Sequence, residues 1–471
     1  MKSYTCSLTV FFVFLSLAGS AQKNLNKNKA PNIILILADD LGWSQTSVMM
    51  DPRVKGSSSN YLETPNIAAF ASKGMRFTNG YSPAPLCTPT RRSILCGTSA
   101  ARSGEEFASD WVPANHATIP SLLKQANPAY KTAHIGKWGE QMISSPEECG
   151  YDVSSGMTGN KDGNLKVSGD PNSGPLGKKI GEKDYYSTDD PKATDLLTNS
   201  AIQFIQQQTK AGNPFYLQVS YYATHLDVAA REKTVAKYIK KGNPDRGYTP
   251  SWAGMLDELD AGVGRLLAAV EKAGIGDNTY IIYTADNGGR ATIPGGTSSV
   301  PPNIPLSGAK HSLLEGGIRV PFIVRGPGIK PGSVCNTPVV GYDFLPTFYD
   351  LAGGKNPLNK EIDGGSMRTL FNNPLNGAVK RTENALYFSR PDRGFSAIRQ
   401  GEYKLMLFWN AKGDIASRKL YQFNPNPTEE GRDIALSNPQ KADELQKLLQ
   451  NYLKSVNAKT VKSGKKPIKD D

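Results

Sequence analysis

The sequence has few of the residues that soft metal sites require and none of the long apolar runs that cross membranes. It holds four histidines and five cysteines in 471 residues. No two cysteines form a Cys-x-x-Cys pair, so a zinc site is poorly supported. No stretch approaches the roughly 20 apolar residues that a transmembrane helix needs, and no membrane span is predicted. No nucleic-acid-binding motif is present, so the formal net charge of +12 favours another acidic partner, such as a polyanionic sugar.

The first 21 residues have the pattern of a secretory signal peptide. Lys2 precedes the short apolar run 8–17, and the small residues 18–21 follow it. The pattern predicts cleavage after Ala21 and an exported protein, in the bacterial periplasm or secreted, with lysosomal delivery as the alternative. Cys6 would leave with the signal. The remaining cysteines are Cys87, Cys96, Cys149 and Cys335.

Apolar runs and helical patterns alternate over most of the chain. Uninterrupted runs are typical of strands buried on both faces of a parallel sheet. They occur at 32–38, 131–135, 214–220, 280–284 and 320–324. Helical spacing occurs at 66–73, 194–210 and 251–273. The first helix follows Thr64 and Pro65, an N-cap residue and a proline at the first helical position. We therefore predict an α/β fold with a large, mostly parallel central sheet flanked by helices.

From about residue 358 the pattern changes to short strands separated by tight turns. Strands are predicted at 385–389, 395–399, 403–409 and 419–423, before an amphipathic helix at 442–456. This indicates a smaller C-terminal antiparallel sheet with a helix packed on it. The predicted organisation is a signal peptide at 1–21, a catalytic α/β domain at 22–357, a C-terminal α+β subdomain at 358–456 and a basic disordered tail at 457–471. The polar stretch 154–192 is interpreted as a long loop, either facing a substrate or merely mobile.

Oxygen-bearing side chains follow two of the predicted strands, at the point where each strand ends. Asp39 and Asp40 come directly after the first run, and Asp286 and Asn287 come after 280–284. Ligands of such folds bind beyond the carboxyl ends of the strands. Three carboxylates meeting there would repel one another without a hard cation, and oxygen ligands favour calcium over zinc. Each cluster taken alone is also compatible with an ordinary turn.

A second motif, Cys-Thr-Pro-Thr-Arg at 87–91, precedes Arg-Ser-Ile-Leu-Cys-Gly at 92–97. The pattern is typical of a turn that leads into a helix. A helix N-terminus presents backbone N–H groups and a positive dipole end to an anion. The motif therefore places a lone thiol at a position suited to anion chemistry, although a disulfide through Cys87 is the simpler alternative.

In their order along the chain, five blocks resemble the type I sulfatases, the formylglycine-dependent branch of the alkaline phosphatase superfamily. They are Pro-Asn-Ile-Ile-Leu-Ile-Leu-Ala-Asp-Asp at 31–40, the block at 87–97, Gly-Lys-Trp at 136–138, Thr-Ala-Asp-Asn-Gly-Gly at 284–289 and Gly-Ala-Lys-His-Ser-Leu-Leu-Glu-Gly-Gly-Ile-Arg-Val-Pro at 308–321. Secondary matches are Asp-Phe-Leu-Pro-Thr at 343–347 and Gly-Glu-Tyr-Lys-Leu at 401–405. The resemblance spans residues 31 to about 430 and implies an alkaline-phosphatase-like fold.

The resemblance implies a modified residue and a metal ion. Cys87 would be oxidised by a formylglycine-generating maturation enzyme to formylglycine, whose hydrated aldehyde attacks sulfur; its second hydroxyl later helps to expel sulfate. A calcium ion would act as Lewis acid and template. The implied calcium ligands are Asp39, Asp40, Cys87, Asp286 and Asn287.

The same resemblance implies roles for other side chains. Arg91 would stabilise the diol. Lys137 and Lys310 would bind the sulfate oxygens as charge develops on them. His225 would bind the substrate beside them and protonate the leaving alcohol. Arg290, which directly follows the Asp-Asn-Gly-Gly block, is interpreted as a substrate contact beyond the sulfate. Weaker candidates for substrate contact are Trp111, Arg390 and Arg393.

Three departures from the family pattern stand out. Gly139 occupies the position of a family histidine that takes a proton from the diol, and the candidates to replace that histidine are water, an acidic residue, His134 and His311. His134 lies three residues before Lys137 and would point the opposite way on a strand, so it is not assigned. Thr90 stands where the family more often has serine, and the motif around His225 lacks its usual proline.

These observations predict an exported, calcium- and formylglycine-dependent sulfatase that removes sulfate from a sulfated carbohydrate. Two alternatives stay open. One is a phosphonate or phosphodiester hydrolase of the same superfamily. The other is a catalytically inactive protein that binds sulfated glycans, which Gly139 or a disulfide-bonded Cys87 would favour.

Overall fold

The structure is a computed structural model that describes Met1 and residues 30–155, 190–226, 228–296, 298–428 and 430–461. The predicted signal peptide beyond Met1, most of the polar stretch 154–192 and the end of the predicted tail lie outside the described residues. Among the described residues, no helix is long and apolar enough to cross a membrane.

A large central sheet organises the main part of the chain. The strands up to residue 340 are β1 (Asn32–Ala38), β2 (Met75–Phe77), β3 (Gly80–Tyr81), β4 (Lys131–Gly136), β5 (Val153–Ser155), β6 (Phe215–Ser220), β7 (Thr279–Ala285), β8 (Phe322–Arg325), β9 (Ser333–Cys335) and β10 (Val339–Val340). Within the described ranges, eight of them form one sheet in the order β5-β4-β6-β1-β7-β8-β2-β9, and β3 pairs with β10. Only β8 runs antiparallel to its neighbours there. The predicted α/β class with a mostly parallel sheet is confirmed.

The sequence of β1 explains why it is central. Every residue of the strand is buried, and alternate side chains point to opposite faces. Ile34 and Ile36 join one hydrophobic core, whereas Ile33, Leu35 and Leu37 join the core on the other face. A strand with apolar residues on both faces needs helices on both sides.

Helices cover both faces of the sheet. The helices among the described residues are α1 (Pro65–Ser72), α2 (Cys87–Cys96), α3 (Ala100–Ser103), α4 (Ile119–Ala126), α5 (Thr194–Ala211), α6 (Glu232–Lys241), α7 (Pro250–Lys272), α8 (Glu315–Ile318), α9 (Phe344–Leu351), α10 (Arg368–Asn372) and α11 (Pro439–Ser455). The core on one face of the sheet includes α1, α5 and α7, and the core on the other face includes α2, α4 and α9.

The start of α1 corrects one expectation. Thr64 occupies the N-cap position but makes no capping hydrogen bond; its hydroxyl oxygen accepts from the backbone N–H of Ser47 at 2.9 Å. The carboxylate of Asp260 on α7 instead accepts from the N–H groups of Asn66 and Ile67, at 3.0 and 2.7 Å. A neighbouring helix thus satisfies the free donors of this one.

The C-terminal strands form a separate antiparallel sheet. They are β11 (Ala385–Arg390), β12 (Phe395–Gln400), β13 (Tyr403–Trp409) and β14 (Ile415–Gln422), paired in chain order. Apolar residues of α11, including Leu445 and Leu449, share a core with this sheet. The predicted smaller sheet with its helix is therefore present, and the exact domain boundaries stay predictions.

Buried ion pairs connect the small sheet to the main part of the chain. The Lys404 ammonium on β13 donates to Glu315 Oε1 at 3.0 Å and to Glu430 Oε1 at 2.8 Å. Tyr81 donates its hydroxyl to Glu315 Oε2 at 2.7 Å and accepts from Arg399 Nη1 at 2.8 Å. The Lys404 cation therefore holds together two carboxylates that lie out of contact with water.

Candidate active site

The parallel pairing of β1 and β7 brings the two oxygen-rich clusters together. Ala38 and Ala285 are partners in the register, so Asp39 and Asp286 leave the sheet side by side at its carboxyl edge. The Asp40 N–H donates to Asp286 Oδ1 at 3.1 Å, and Asn287 Nδ2 donates to Asp40 Oδ1 at 2.8 Å. All four side chains are buried.

Arg91, on the first turns of α2, binds this cluster from one side. Its Nε and Nη2 atoms donate to Asp286 Oδ2 at 3.1 and 2.7 Å, and Nη1 donates to the Lys137 carbonyl at 2.7 Å. Arg91 Nη2 also lies 3.9 Å from Asp39 Oδ2. The guanidinium therefore ties the helix that begins at Cys87 to both strand ends.

Two buried lysines neutralise the aspartate pair. Lys137, which follows β4, donates to Asp39 Oδ2. The Lys310 ammonium lies 2.6 Å from Asp40 Oδ1 and 2.8 Å from Asp40 Oδ2. Together with Arg91, three cations balance three carboxylates in a site shielded from water.

The electrostatics of the site follow from burial and these pairs. Burial opposes the ionisation of Asp40, but Lys310 and His225 hold its pKa well below the usual range. Burial raises the pKa of Asp286 to about 6, and the adjacent Asp39 adds to this effect. Burial also disfavours a charged Lys310, yet Asp40 raises its pKa above the ordinary value. The protonation state of each buried carboxyl group therefore depends on the charges next to it.

Two oxygens of the cluster are buried without a hydrogen-bond partner among the described residues. They are Asp39 Oδ1 and Asn287 Oδ1. Buried polar atoms are normally satisfied, and free carboxylate and amide oxygens are the ligands that calcium takes. One ligand atom each of Asp39, Asp40 and His225 also lies within 4.8 Å of the others. The donor set therefore fits a hard divalent cation.

Cys87 is the first residue of α2 and is completely buried. Cys87 forms no disulfide, and neither do the other three cysteines of the described residues. Burial raises the pKa of the thiol, while Lys137 acts in the opposite direction and Asp39 and Asp286 reinforce the rise. Thr90 fixes the preceding turn, because its hydroxyl donates to the Ala84 carbonyl at 2.9 Å.

His225 lies beside the metal-binding candidates on the segment after β6. Its Nδ1 is 2.5 Å from the Leu226 carbonyl oxygen, and Nε2 lies 3.9 Å from Asp40 Oδ2. Burial lowers the pKa of His225 to about 3, and Lys137 contributes to the shift. Sequence reasoning missed the buried Lys192, which donates to the His225 carbonyl at 3.2 Å; no local motif marks such a long-range contact.

The backbone at Gly139 explains why no side chain stands there. Gly139 has φ +148°, and a Cβ atom would come within 2.8 Å of Met142 Cγ. His134 does not replace it, because its imidazole packs edge-on against Trp138 and Tyr151 in the core. His311 lies next to Lys310, with φ 82° and its N–H donating to the Pro85 carbonyl at 3.0 Å.

The unpaired imidazole of His134 should make the protein acid-sensitive. Neither ring nitrogen has a hydrogen-bond partner among the described residues, and burial, with help from Arg91, lowers the pKa from 6.5 to about 3. Stability from the neutral ring is complete above pH 6.5 and falls as the pH drops towards 3, by up to about 1.4 kcal/mol per pH unit. We expect His134→Phe to flatten this slope in urea unfolding at pH 7, 6 and 5. Parallel losses in both proteins would contradict the assignment.

The weaker substrate-contact candidates have different positions. Trp111 stacks on His116 with ring centroids 3.5 Å apart. Arg390 is buried, pairs with Asp392 at 2.6 and 2.8 Å and reaches the His311 carbonyl at 3.4 Å. Arg393 is partly exposed, and so is Arg290, the predicted substrate contact beyond the sulfate, which follows the Asp286 turn. The structure thus joins Asp39, Asp40, Arg91, Lys137, His225, Asp286, Asn287 and Lys310 by direct contacts around Cys87.

Comparison with known proteins identifies the family. The profile of the family Sulfatase matches residues 31–354, and the profile N-sulphoglucosamine sulphohydrolase, C-terminal matches residues 309–459. The chain belongs to the sulfatase family, which confirms the resemblance and the class of hydrolase.

Individual relatives agree with this assignment. A sulfatase of Formosa agariphila is 30% identical over 85% of this chain and 82% of its own length. The N-acetylgalactosamine-6-sulfatase of Mus musculus is 29% identical over 80% of this chain and 72% of its own. The solved structure of Ps i-CgsB in complex with k-i-k-neocarrahexaose has a TM-score of 0.72 and 27% identity, and the match covers 90% of this chain and 93% of that one.

Proposed function

We propose that this protein is an exported sulfatase that removes sulfate from a sulfated carbohydrate, using formylglycine made from Cys87 and a calcium ion. The observation that carries the proposal is the position of Cys87 at the start of a buried helix, beside Asp39, Asp286 and the ammonium groups of Lys137 and Lys310. Cys87 in the structure marks the position at which the modified residue would stand.

The charge balance supports a site for a cation together with an anion. Three cations already balance Asp39, Asp40 and Asp286, so a divalent ion would leave a net positive site that attracts a sulfate ester. Asp39, Asp40, Asp286 and Asn287 would bind calcium, with the residue at 87 completing the set. A calcium ion held there would supply Lewis acidity, and a formylglycine at position 87 would supply the nucleophile.

The side-chain cations Lys137, Lys310 and Arg91 would bind and orient the sulfate ester. Lys137 and Lys310 are held on Asp39 and Asp40, where their ammonium groups can bind the sulfate oxygens as charge develops. Arg91 fixes the start of α2 against Asp286. These contacts orient the group to be cleaved and shield it from water.

His225 is the proposed proton donor to the leaving alcohol. Its Nδ1 faces the Leu226 carbonyl, so Nε2 is the nitrogen directed at the reacting group, on the Asp40 side of the site. Because Nδ1 needs its proton to donate to the Leu226 carbonyl, a proton at Nε2 requires the charged imidazolium. Burial disfavours that form and lowers the pKa to about 3, whereas a bound anionic sulfate ester would favour it. The Nε2 proton can then pass to the oxygen that leaves sulfur.

A carbohydrate substrate is supported by the charge of +12 and by the relatives. One relative is named for N-acetylgalactosamine, and one neighbour was solved with neocarrahexaose. Sulfate release from a panel of sulfated oligosaccharides tests this step, with an aryl sulfate and an aryl phosphonate as comparison substrates. Faster cleavage of the phosphonate would indicate the alternative hydrolase, and binding without hydrolysis by the matured protein would indicate a glycan-binding protein.

Calcium should stabilise the folded protein as well as support turnover. A ligand at about 100 times its Kd adds about 2.7 kcal/mol to the stability of the state that binds it. We expect chelator-treated protein to lose activity and to regain both activity and a higher Tm on addition of calcium. Asp286→Asn should abolish the rise in Tm, whereas Asp443→Asn, at an exposed carboxylate, should retain it. An equal rise in both variants would exclude calcium binding at this cluster.

A further inference from the structure

Within the described part of the chain, Arg290 has no anionic partner, unlike the cations that contact the aspartate cluster. Arg91, Lys137 and Lys310 each contact a carboxylate. Among the described residues, the Arg290 side chain makes no hydrogen bond or ion pair, and its Nε atom is buried without a partner. An arginine is always charged, so a donor that is buried and unsatisfied is costly. Such a group points to an anion that the protein itself does not supply.

The backbone around Arg290 is held firmly. Asn303 Nδ2 donates to the carbonyls of Gly289 and Arg290, at 2.9 and 3.0 Å. The Gly289 carbonyl also accepts from the Lys310 N–H at 2.8 Å. The base of the Arg290 side chain is therefore fixed directly beside the loop that supplies Lys310 to the site.

The side chain of Gln45, which follows the aspartate pair in sequence, packs against the same loop. Its Oε1 accepts from the Gly42 N–H at 2.7 Å. A Cβ atom on Gly289 would lie 2.3 Å from Gln45 Oε1 and 2.6 Å from Asn303 Oδ1. The two buried amides thus fill the space beside Gly289, so a side chain there would have to displace one of them. The arrangement orients Arg290 without neutralising it.

We propose that Arg290 binds a second anionic group of the substrate, a carboxylate or a further sulfate close to the ester that is cleaved. The proposal rests on the proposed function. A guanidinium recognises either group through two parallel hydrogen bonds. The substrate class is accordingly a saccharide with two negative groups on the same or an adjacent sugar.

The test compares Arg290→Gln and Arg290→Lys with the wild type and with Arg432→Gln, at an exposed arginine. The substrates are an aryl sulfate, a monosulfated neutral disaccharide, a disulfated disaccharide and a monosulfated disaccharide that contains a uronic acid. For the doubly charged substrates we expect Arg290→Gln to lower kcat/KM about 10- to 100-fold, mainly through KM, as for the loss of a charged hydrogen bond. The singly charged substrates should change less than about twofold. Arg290→Lys should restore part of the loss, and Arg432→Gln should leave all rates unchanged.

The two doubly charged substrates separate the sources of the anion, since the larger loss identifies a carboxylate or a sulfate partner. Equal losses on singly and doubly charged substrates, or no loss on any, would overturn the proposal. If matured wild-type protein cleaves no sulfate ester, the proposed function fails. In that case isothermal titration calorimetry with the doubly charged saccharides tests the anion site separately. Weaker binding by Arg290→Gln than by the wild type supports the site, and equal binding rejects it.

Discussion

Replacing Cys87 by alanine should abolish sulfate release while leaving the fold intact. The side chain at 87 would provide the nucleophile, and the loss of a covalent nucleophile lowers kcat by about 10⁴-fold or more. The Cys87 sulfur lies 4.0 Å from the hydroxyl of the adjacent Thr88, and alanine is the best helix former, so far-ultraviolet circular dichroism and Tm should stay close to those of the wild type. Initial rates on an aryl sulfate measure the effect.

Cys96→Ala is the matched control for this prediction. Cys96 is the last residue of the same helix and is equally buried, but it lies in the core beside Leu95 and away from the carboxylate cluster. Its removal should reduce stability by about 1 kcal/mol, as for loss of a small buried group, and leave kcat unchanged. Undiminished activity of Cys87→Ala would contradict the formylglycine mechanism.

Lys404→Met should cause the largest loss of stability of any single change in the small sheet. It removes the cation shared by Glu315 and Glu430, both of which lie out of contact with water. Removing one partner of a buried ion pair costs about 3–5 kcal/mol. Urea unfolding measures the loss. Lys419→Met on β14, at an exposed position, should change stability by less than about 0.5 kcal/mol.

The loss should also depend on pH. Burial raises the pKa of Glu430 from 4.5 to about 7, and Lys404 opposes this rise. A carboxyl group with a raised pKa stabilises the fold below its ordinary pKa of 4.5, and this contribution is lost as the pH rises through about 7. Without Lys404 the pKa rises further, so Lys404→Met should be more harmful at pH 8 than at pH 5. A loss independent of pH would show that the pair matters only through packing.

The sequence predicted the central elements well because their signals are local. The apolar run of β1 and the helical spacing of α7 appear within single segments, and both elements have nearly the predicted bounds. The run at 320–324 was less informative. The strand begins at Phe322 and runs antiparallel to β7, and a continuous apolar run does not indicate whether a strand pairs parallel or antiparallel with its neighbours. The three-residue strands β2 and β9 were not predicted, because pairing with distant residues defines them. The lysine-rich α6 was not predicted either, although its buried residues Thr234, Val235 and Tyr238 lie on one side of an amphipathic helix and form a local signal.

The site could be anticipated only in part for the same reason. Asp39 and Asp286 follow buried strands, so the topology of parallel sheets brings them together. The contacts of Asn303 with Gly289 and of Lys192 with His225 join residues far apart in sequence and have no motif. The conformation of Gly139 was also beyond the sequence, since its φ and the approach of Met142 depend on the fold.

The most direct test of the central claim is mass spectrometry of the tryptic peptide 77–91, from protein made in a host with a formylglycine-generating enzyme. The proposal predicts a peptide in which Cys87 has lost its sulfur, carries an aldehyde that reacts with a hydrazide and resists alkylation by iodoacetamide. A peptide from the native organism with an intact or disulfide-bonded Cys87 would contradict it.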